Sequence, residues 1–385
     1  MKPHRIDRFL KLTADRGASD LHLAAGRAPM MRLSGHLDTV RYRVLDDEEV
    51  SALVRPICRD GHWKQLGELG ECDFAYEVEG VARFRVNLFR QHSGLSAAFR
   101  IIPTEVVTLE QLGLPEAVGR IANYNSGLIL ITGPTGSGKS TTLAAVLDLI
   151  NDLRPANVIT IEDPIEFVHR NRRAIIHQRE VGSHTRSFAS ALHVALREDP
   201  DVVIVGELRD AEVIETALRA ADAGMMVLGT LHTNSAGKTL DRMLSAFPAE
   251  RRDGVSQTLA ASLRAVVAQQ LVRRIGGGRI AALEILFESP ALAAAIREAQ
   301  TYKIPDIIRT GRAAGMVTMD DSLRALVTDQ LIEPLEALEK AIDKDSLRSW
   351  LQRRGLELPD DIEVPPAQKG LPGREQGPSG STSTQ

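Results

Sequence analysis

Between Leu128 and Leu143 the chain reads LILITGPTGSGKSTTL, and the residue types and spacing are those of a phosphate cradle. Gly133, Pro134, Thr135, Gly136, Ser137, Gly138, Lys139 and Ser140 fill the whole G-x-x-x-x-G-K-[ST] pattern, with Thr141 directly after it. Gly133, Gly136 and Gly138 allow backbone N–H groups to approach phosphate oxygens with no Cβ in the way. Lys139 can reach the β- and γ-phosphates of a nucleotide and Ser140 can ligate Mg²⁺, while a helix starting near Lys139 adds partial positive charge. The apolar run Leu128–Ile131 predicts the buried strand that such a loop needs before it.

Phosphoryl transfer from ATP further requires a metal, a carboxylate that orients water, and positive charge against the transition state. Glu207 leaves a fully apolar strand in the stretch VVIVGE, where a metal-holding acid would sit. Glu162, Asp163 and Glu166 cluster at another strand end, and their mutual repulsion favours a cation or donor among them. Asp163 could instead only cap the turn with Pro164. Which of Glu166 and Glu207 orients the water stays open. His232, just past a third strand, could sense the γ-phosphate, link two subunits or be a structural histidine.

These groups need elements to hold them. Strand-like runs at 158–161, 202–205 and 226–230 alternate with helices, the signature of a parallel sheet wound with crossover helices. In such a sheet ligands bind at the carboxyl ends of strands, where the polar clusters fall. Asp210 is the expected cap of a helix that Gly224 stops. Val255, Leu259, Leu263, Val267 and Leu271 predict one long helix from Ala249 to Arg274, and residues 280–350 read as mostly helical.

The first hundred residues read as a separate mixed α/β unit. Its expected elements are a helix over 6–15, strands at 19–23 and 30–33, a turn at Gly35, and a helix over 46–57. Strands 74–78 and 82–89 then pair across Gly80, with Phe84, Val86 and Leu88 on one face and Arg83, Arg85 and Asn87 on the other. The arginine face alone reads as a solvated strand face. The expected organisation is an N-terminal domain 1–101, a linker 102–115, an ATP-binding core 116–275, a helical region 276–357 and a disordered Pro-, Gly- and Ser-rich tail 358–385.

At 385 residues the chain exceeds what one core usually organises. A net charge of −4 argues against a dedicated nucleic-acid binder. Cys58 and Cys72 have no metal-site or disulfide-framework spacing, so both are expected to be reduced. The start is charged from Lys2 and has no apolar core, and no run reaches the length of a membrane span, so a cytoplasmic location is expected.

Taken in order, the strand-end motifs resemble those of the secretion ATPase superfamily, and within it the PilT-like retraction ATPases of bacterial type IV pili. GPTGSGKSTTL is similar to the Walker A motif, ITIEDPIEFVH to the Asp box, DPDVVIVGELRD to the atypical Walker B and GTLHTNSAGKTLDRMLSAFP to the His box. SDLHL, ARFRVNLFRQ and AAFRIIP resemble the N-terminal domain of the family. The resemblance covers residues 5–335. It implies a homo-hexameric Mg²⁺-dependent ATP hydrolase, with a PAS-like N-terminal domain, a RecA-like core and C-terminal helices. Glu166 would then polarise water, Glu207 hold Mg²⁺, and Arg85, Arg90 and Arg100 supply positive charge to a nucleotide on the neighbouring fold. The implied partner is an inner-membrane pilus platform protein, with membrane contact through partners only.

Two departures stand out. Met225 replaces a histidine that usually precedes the His-box strand, and Ala291–Glu298 matches the AIRNLIRE signature only at Ala291, Ile296, Arg297 and Glu298. Besides pilus retraction, an accessory pilus motor of the PilU type, a secretion-system ATPase and a RecA-like nucleic-acid translocase are weighed as alternatives.

Overall fold

The computed structural model describes residues 4–33, 36–102 and 106–356. The turn at Gly35, part of the linker and the tail beyond residue 356 lie outside the described residues.

The N-terminal part is a six-stranded antiparallel sheet, built from β1 (Asp20–Ala24), β2 (Met30–Leu33), β3 (His36–Thr39), β4 (Glu71–Val78), β5 (Ala82–Gln91) and β6 (Gly94–Ile102), in the order β3-β2-β1-β6-β5-β4. Helices Asp7–Asp15, Asp47–Val54 and Asp60–Leu69 accompany it. The period-two pattern of β5 is realised, since Phe84, Val86 and Leu88 are fully buried while Arg85 is exposed. Asp46 closes a reciprocal capping box with Glu49 at the start of the second helix. Cys58 and Cys72 are free thiols in this core.

The second sheet has seven strands: β7 (Gly127–Thr132), β8 (Asn157–Glu162), β9 (Ile175–Glu180), β10 (Val202–Val205), β11 (Met226–Leu231), β12 (Leu263–Arg273) and β13 (Arg279–Phe287). Their order is β13-β12-β7-β11-β10-β8-β9, parallel except for β13. Every residue of β7, β10 and β11 is buried, as expected for strands covered by helices on both faces. Strand β11 stands between β7 and β10, so Glu207 emerges two strands from the loop that Lys139 closes.

The helix expected over 249–274 is a helix only over Ala249–Ser262, and Leu263–Arg273 is strand β12. Residues spaced by four share a stripe on a helix and also share one face of a regular strand, so Val267 and Leu271 satisfy both readings, while an irregularity between Leu263 and Ala265 puts Leu263 out of step with them. Long-range pairing of β12 with β7 on one side and β13 on the other decides it. Likewise Arg279–Phe287, expected within a helical region from 276, belongs to the sheet, and the helices begin at Pro290. Five α-helices follow to Arg353, partly around a separate small core with Leu323, Leu338 and Leu351. No helix among the described residues is long and apolar enough to cross a membrane.

Candidate active site

A cavity of about 390 Å³ opens at the carboxyl ends of β7, β8, β10 and β11. The loop after β7 contributes Thr135 and Gly136, and the helix Lys139–Leu153 contributes Lys139 and Ser140. Glu162, Asp163 and Glu166 enter from β8 and its loop, Glu207 and Arg209 from the end of β10, and His232 from the end of β11. Residues scattered over a hundred positions of sequence are thereby brought to one face of the sheet.

The Lys139 ammonium is held inside its own loop, donating to the carbonyls of Gly133 at 2.8 Å and Pro134 at 3.1 Å. Burial pushes its pKa down, and the negative charges of Glu207 and Glu166 oppose that shift. Glu207 accepts from Arg209 Nε at 2.6 Å, and its other oxygen lies 3.3 Å from His232 Nε2. Arg209 also approaches Asp163 at 3.7 Å and stacks over the Phe188 ring at 5.5 Å. Its hydrogen bond to Glu207 holds the guanidinium firmly protonated. The three carboxylates, all lining the cavity, differ in their partners. Glu162 turns inward, accepting from Thr160 Oγ1 at 2.6 Å and Gln178 Nε2 at 3.0 Å, and burial pushes its carboxyl up. Asp163 faces Arg209, and Glu166 lines the cavity.

The arginines of the N-terminal sheet divide. Arg85 lines the cavity and lies 3.5 Å from Asp73. Arg100, its cross-strand partner on β6, donates to Asp20 at 2.8 Å and is not among the cavity's lining residues. Arg90 sits near the β5–β6 hairpin end opposite Leu95, five residues from Arg85 and on the other strand face. Within this chain, then, Arg90 and Arg100 are not brought to the cavity.

Arg209, which lines the cavity, and Arg83, which pairs with Glu180, have no site role on sequence grounds. Arg209 had a signal, being two residues past Glu207 at a strand end. Arg83 has its place on the arginine face of β5, but its partner Glu180 is remote in sequence. Arg83 Nη2 donates to Glu180 Oε2 at 3.0 Å and ties β5 to the end of β9. The same carboxylate oxygen accepts from the N–H of Ile165 at 3.1 Å, one residue before Glu166.

The donor set fits a nucleotide with Mg²⁺. Gly133 and Gly138 take φ values of 148° and 86°, and a Cβ at Gly133 would collide with the carbonyl oxygen of Gln269. No group of three or more His, Cys, Asp or Glu side chains among the described residues is arranged to hold a metal. Mg²⁺ suits such a site, since it is commonly bound through one or two protein groups together with substrate phosphates.

The sequence profile described as "Type II/IV secretion system protein" matches residues 70–340. The chain belongs to that family. It is 48% identical over 336 residues to the type IV pilus retraction ATPase PilT of Pseudomonas aeruginosa, covering 87% of this chain and 98% of that relative. The type IV pilus ATPase PilU of the same organism is 36% identical over 372 residues, covering 92% and 97%. A crystal structure of the pilus retraction motor PilT with bound ADP superposes with a TM-score of 0.84 at 40% identity, covering 90% of this chain and all 100% of that one. The second sheet and the C-terminal helices are accordingly the RecA-like P-loop ATPase core of this family, homologous to ATP-hydrolysing motors.

Proposed function

We propose that the protein is a Mg²⁺-dependent ATPase that works as a homo-hexamer and powers type IV pilus retraction and twitching motility. The observation that carries the chemistry is the convergence of Lys139, Ser140, Glu166 and Glu207 on one cavity, with Arg85 entering from the N-terminal sheet. Near full-length similarity to PilT supports the assignment of the task.

In this reading residues 133–141 cradle the triphosphate of ATP, and Lys139 exchanges the carbonyls of Gly133 and Pro134 for phosphate oxygens. Ser140 and Glu207 would hold Mg²⁺, which when bound neutralises phosphate charge. Glu207 must leave Arg209 to do so, and the freed guanidinium remains beside Asp163. Glu166 orients the attacking water and accepts its proton. His232, beside Glu207, responds to the exchange. Arg85 adds positive charge against the transition state, and Arg90 and Arg100 serve the site of a neighbouring subunit.

The six-stranded sheet with its flanking helices acts as a PAS-like domain over 1–101, joined through 102–115 to the core, and its movement against the core transmits force. The motor is cytoplasmic and docks on an inner-membrane pilus platform protein. The altered stretch Ala291–Glu298 favours, as a second reading, an accessory motor of the PilU type.

Surface pili are counted by electron microscopy in cells lacking the gene and in cells given it back as wild type or as Lys139→Ala. Excess pili and lost twitching, restored by wild type and not by Lys139→Ala, are expected. Bald cells would make it an assembly motor, and an unchanged count would shift the assignment to an accessory or secretion role.

A further inference from the structure

Strand β12, which the sequence pattern disguises as helix, runs beneath the phosphate-binding loop and carries a buried glutamine there. Gln269 is 3% exposed, and both polar atoms of its carboxamide are engaged on the loop side. Nε2 donates to the carbonyl of Ser137 at 2.7 Å, and Oε1 accepts from Thr142 Oγ1 at 2.8 Å. Ser137 lies inside the loop and Thr142 in the first turn of the helix that follows, so one side chain spans the junction at Gly138.

The loop is also shaped to this strand. A Cβ at Gly138 would come within 2.8 Å of Gln269 Nε2, and one at Gly133 would strike the Gln269 carbonyl oxygen. Two motif glycines thus admit β12 as well as phosphate. In a trans peptide the carbonyl and the following N–H point in opposite directions. Pinning the Ser137 carbonyl to Gln269 therefore aims the Gly138 N–H away from β12.

We infer that Gln269 is a positioning residue for nucleotide binding: it holds the loop's peptides in phosphate-accepting orientation before any nucleotide arrives, and Thr142 orients its amide. The inference rests on the nucleotide-binding reading of the same site. Without the amide, the Ser137 carbonyl is left buried and unpaired, and the peptide is free to turn its oxygen toward the cradle, where it repels phosphate.

The test is calorimetric titration of the full-length protein with ADP, alongside thermal unfolding, for wild type, Gln269→Met and Thr142→Val. Gln269→Met is expected to raise Kd about tenfold, the scale of one buried hydrogen bond. Thr142→Val, which leaves the contact to Ser137 in place, is expected to raise Kd about threefold, consistent with a weaker hydrogen-bond effect. A merely structural role would lower the melting temperature and the number of competent sites while leaving Kd unchanged. That result in either folded variant would overturn the inference, and Thr142→Val decides it if Gln269→Met does not fold. A wild-type protein that binds ADP but does not hydrolyse ATP would defeat the proposed function and leave the inference standing. A wild-type protein that binds no ADP would defeat both.

Discussion

Replacing Arg83 by methionine tests whether the N-terminal sheet is joined to the loop that carries Glu166 through one ion pair. The side chains of Arg83 and Glu180 are 17% and 4% exposed, and their charged atoms are 3.0 Å apart. At an effective dielectric constant of about 20 the gross attraction is about 5 kcal/mol, most of which desolvation of the two groups offsets. Truncation is costlier than that net value suggests. It leaves Glu180 buried without its guanidinium partner, with the Ile165 N–H and the Ser183 hydroxyl still donating to it at 3.1 and 2.8 Å. Arg83→Met is therefore expected to destabilise by about 3 kcal/mol. Glu180→Gln in the same chain removes the stranded charge and should return about half of the loss. Urea unfolding of the four proteins of the cycle is followed by fluorescence. Trp63 reports on the N-terminal unit and Trp350 on the C-terminal helices. A single variant within about 0.5 kcal/mol of wild type, or strictly additive single changes, would refute the coupling.

Three further outcomes follow from the geometry. Glu207→Gln should bind ATP yet lower turnover about a hundredfold or more, roughly 3 kcal/mol of transition-state stabilisation, and unchanged turnover in a coupled phosphate-release assay would remove Glu207 from the reaction. Burial holds the His169 imidazole neutral, with its pKa pushed down to about 4 from the ordinary 6.5. The unfolded chain thus takes a proton that the native state refuses, so this contribution is complete above pH 6.5 and is lost as pH falls toward 4, up to about 3 kcal/mol. His169→Gln should flatten the stability curve across that window, and an unaltered acid limb in denaturant titrations would count against the burial argument. Cys58 and Cys72 are buried thiols whose pKa values burial raises, that of Cys72 to about 12, so neither should react with a disulfide reagent at pH 8 until denaturant is added. Rapid labelling of the native protein would contradict this.

Much of the site was legible because its chemistry is written in contiguous residues. The loop 133–140 is a local backbone shape that needs its own glycines and lysine, so its residues announce it without reference to the rest of the chain. Glu166, Glu207 and His232 were findable because each follows a short strand signal, and a parallel sheet gathers such strand ends on one side. The alternation in β5 marked which arginines face outward for a similar reason, since side-chain direction in a strand is set by parity alone. Parity could not say what lies across from that face. It did not distinguish Arg85 in the cavity from Arg100 on Asp20, or reveal that Arg83 meets Glu180.

What the tertiary structure alone decided is everything that depends on pairing between distant segments. Val267 and Leu271 fit helix and strand periodicity alike, and the vacant edge of β7 together with the antiparallel return of β13 selects the strand. From that selection comes the placement of Gln269 under Ser137, a contact across 132 positions that no local pattern encodes. The amino-acid sequence by itself determined the glycine-rich loop, the place of the acids at strand ends and the family, because these reside in local conformation and residue identity. Which buried amide braces the loop, which arginine reaches the core and where the second sheet ends are settled by long-range burial and hydrogen bonding, whose free energy exists only once the chain has folded.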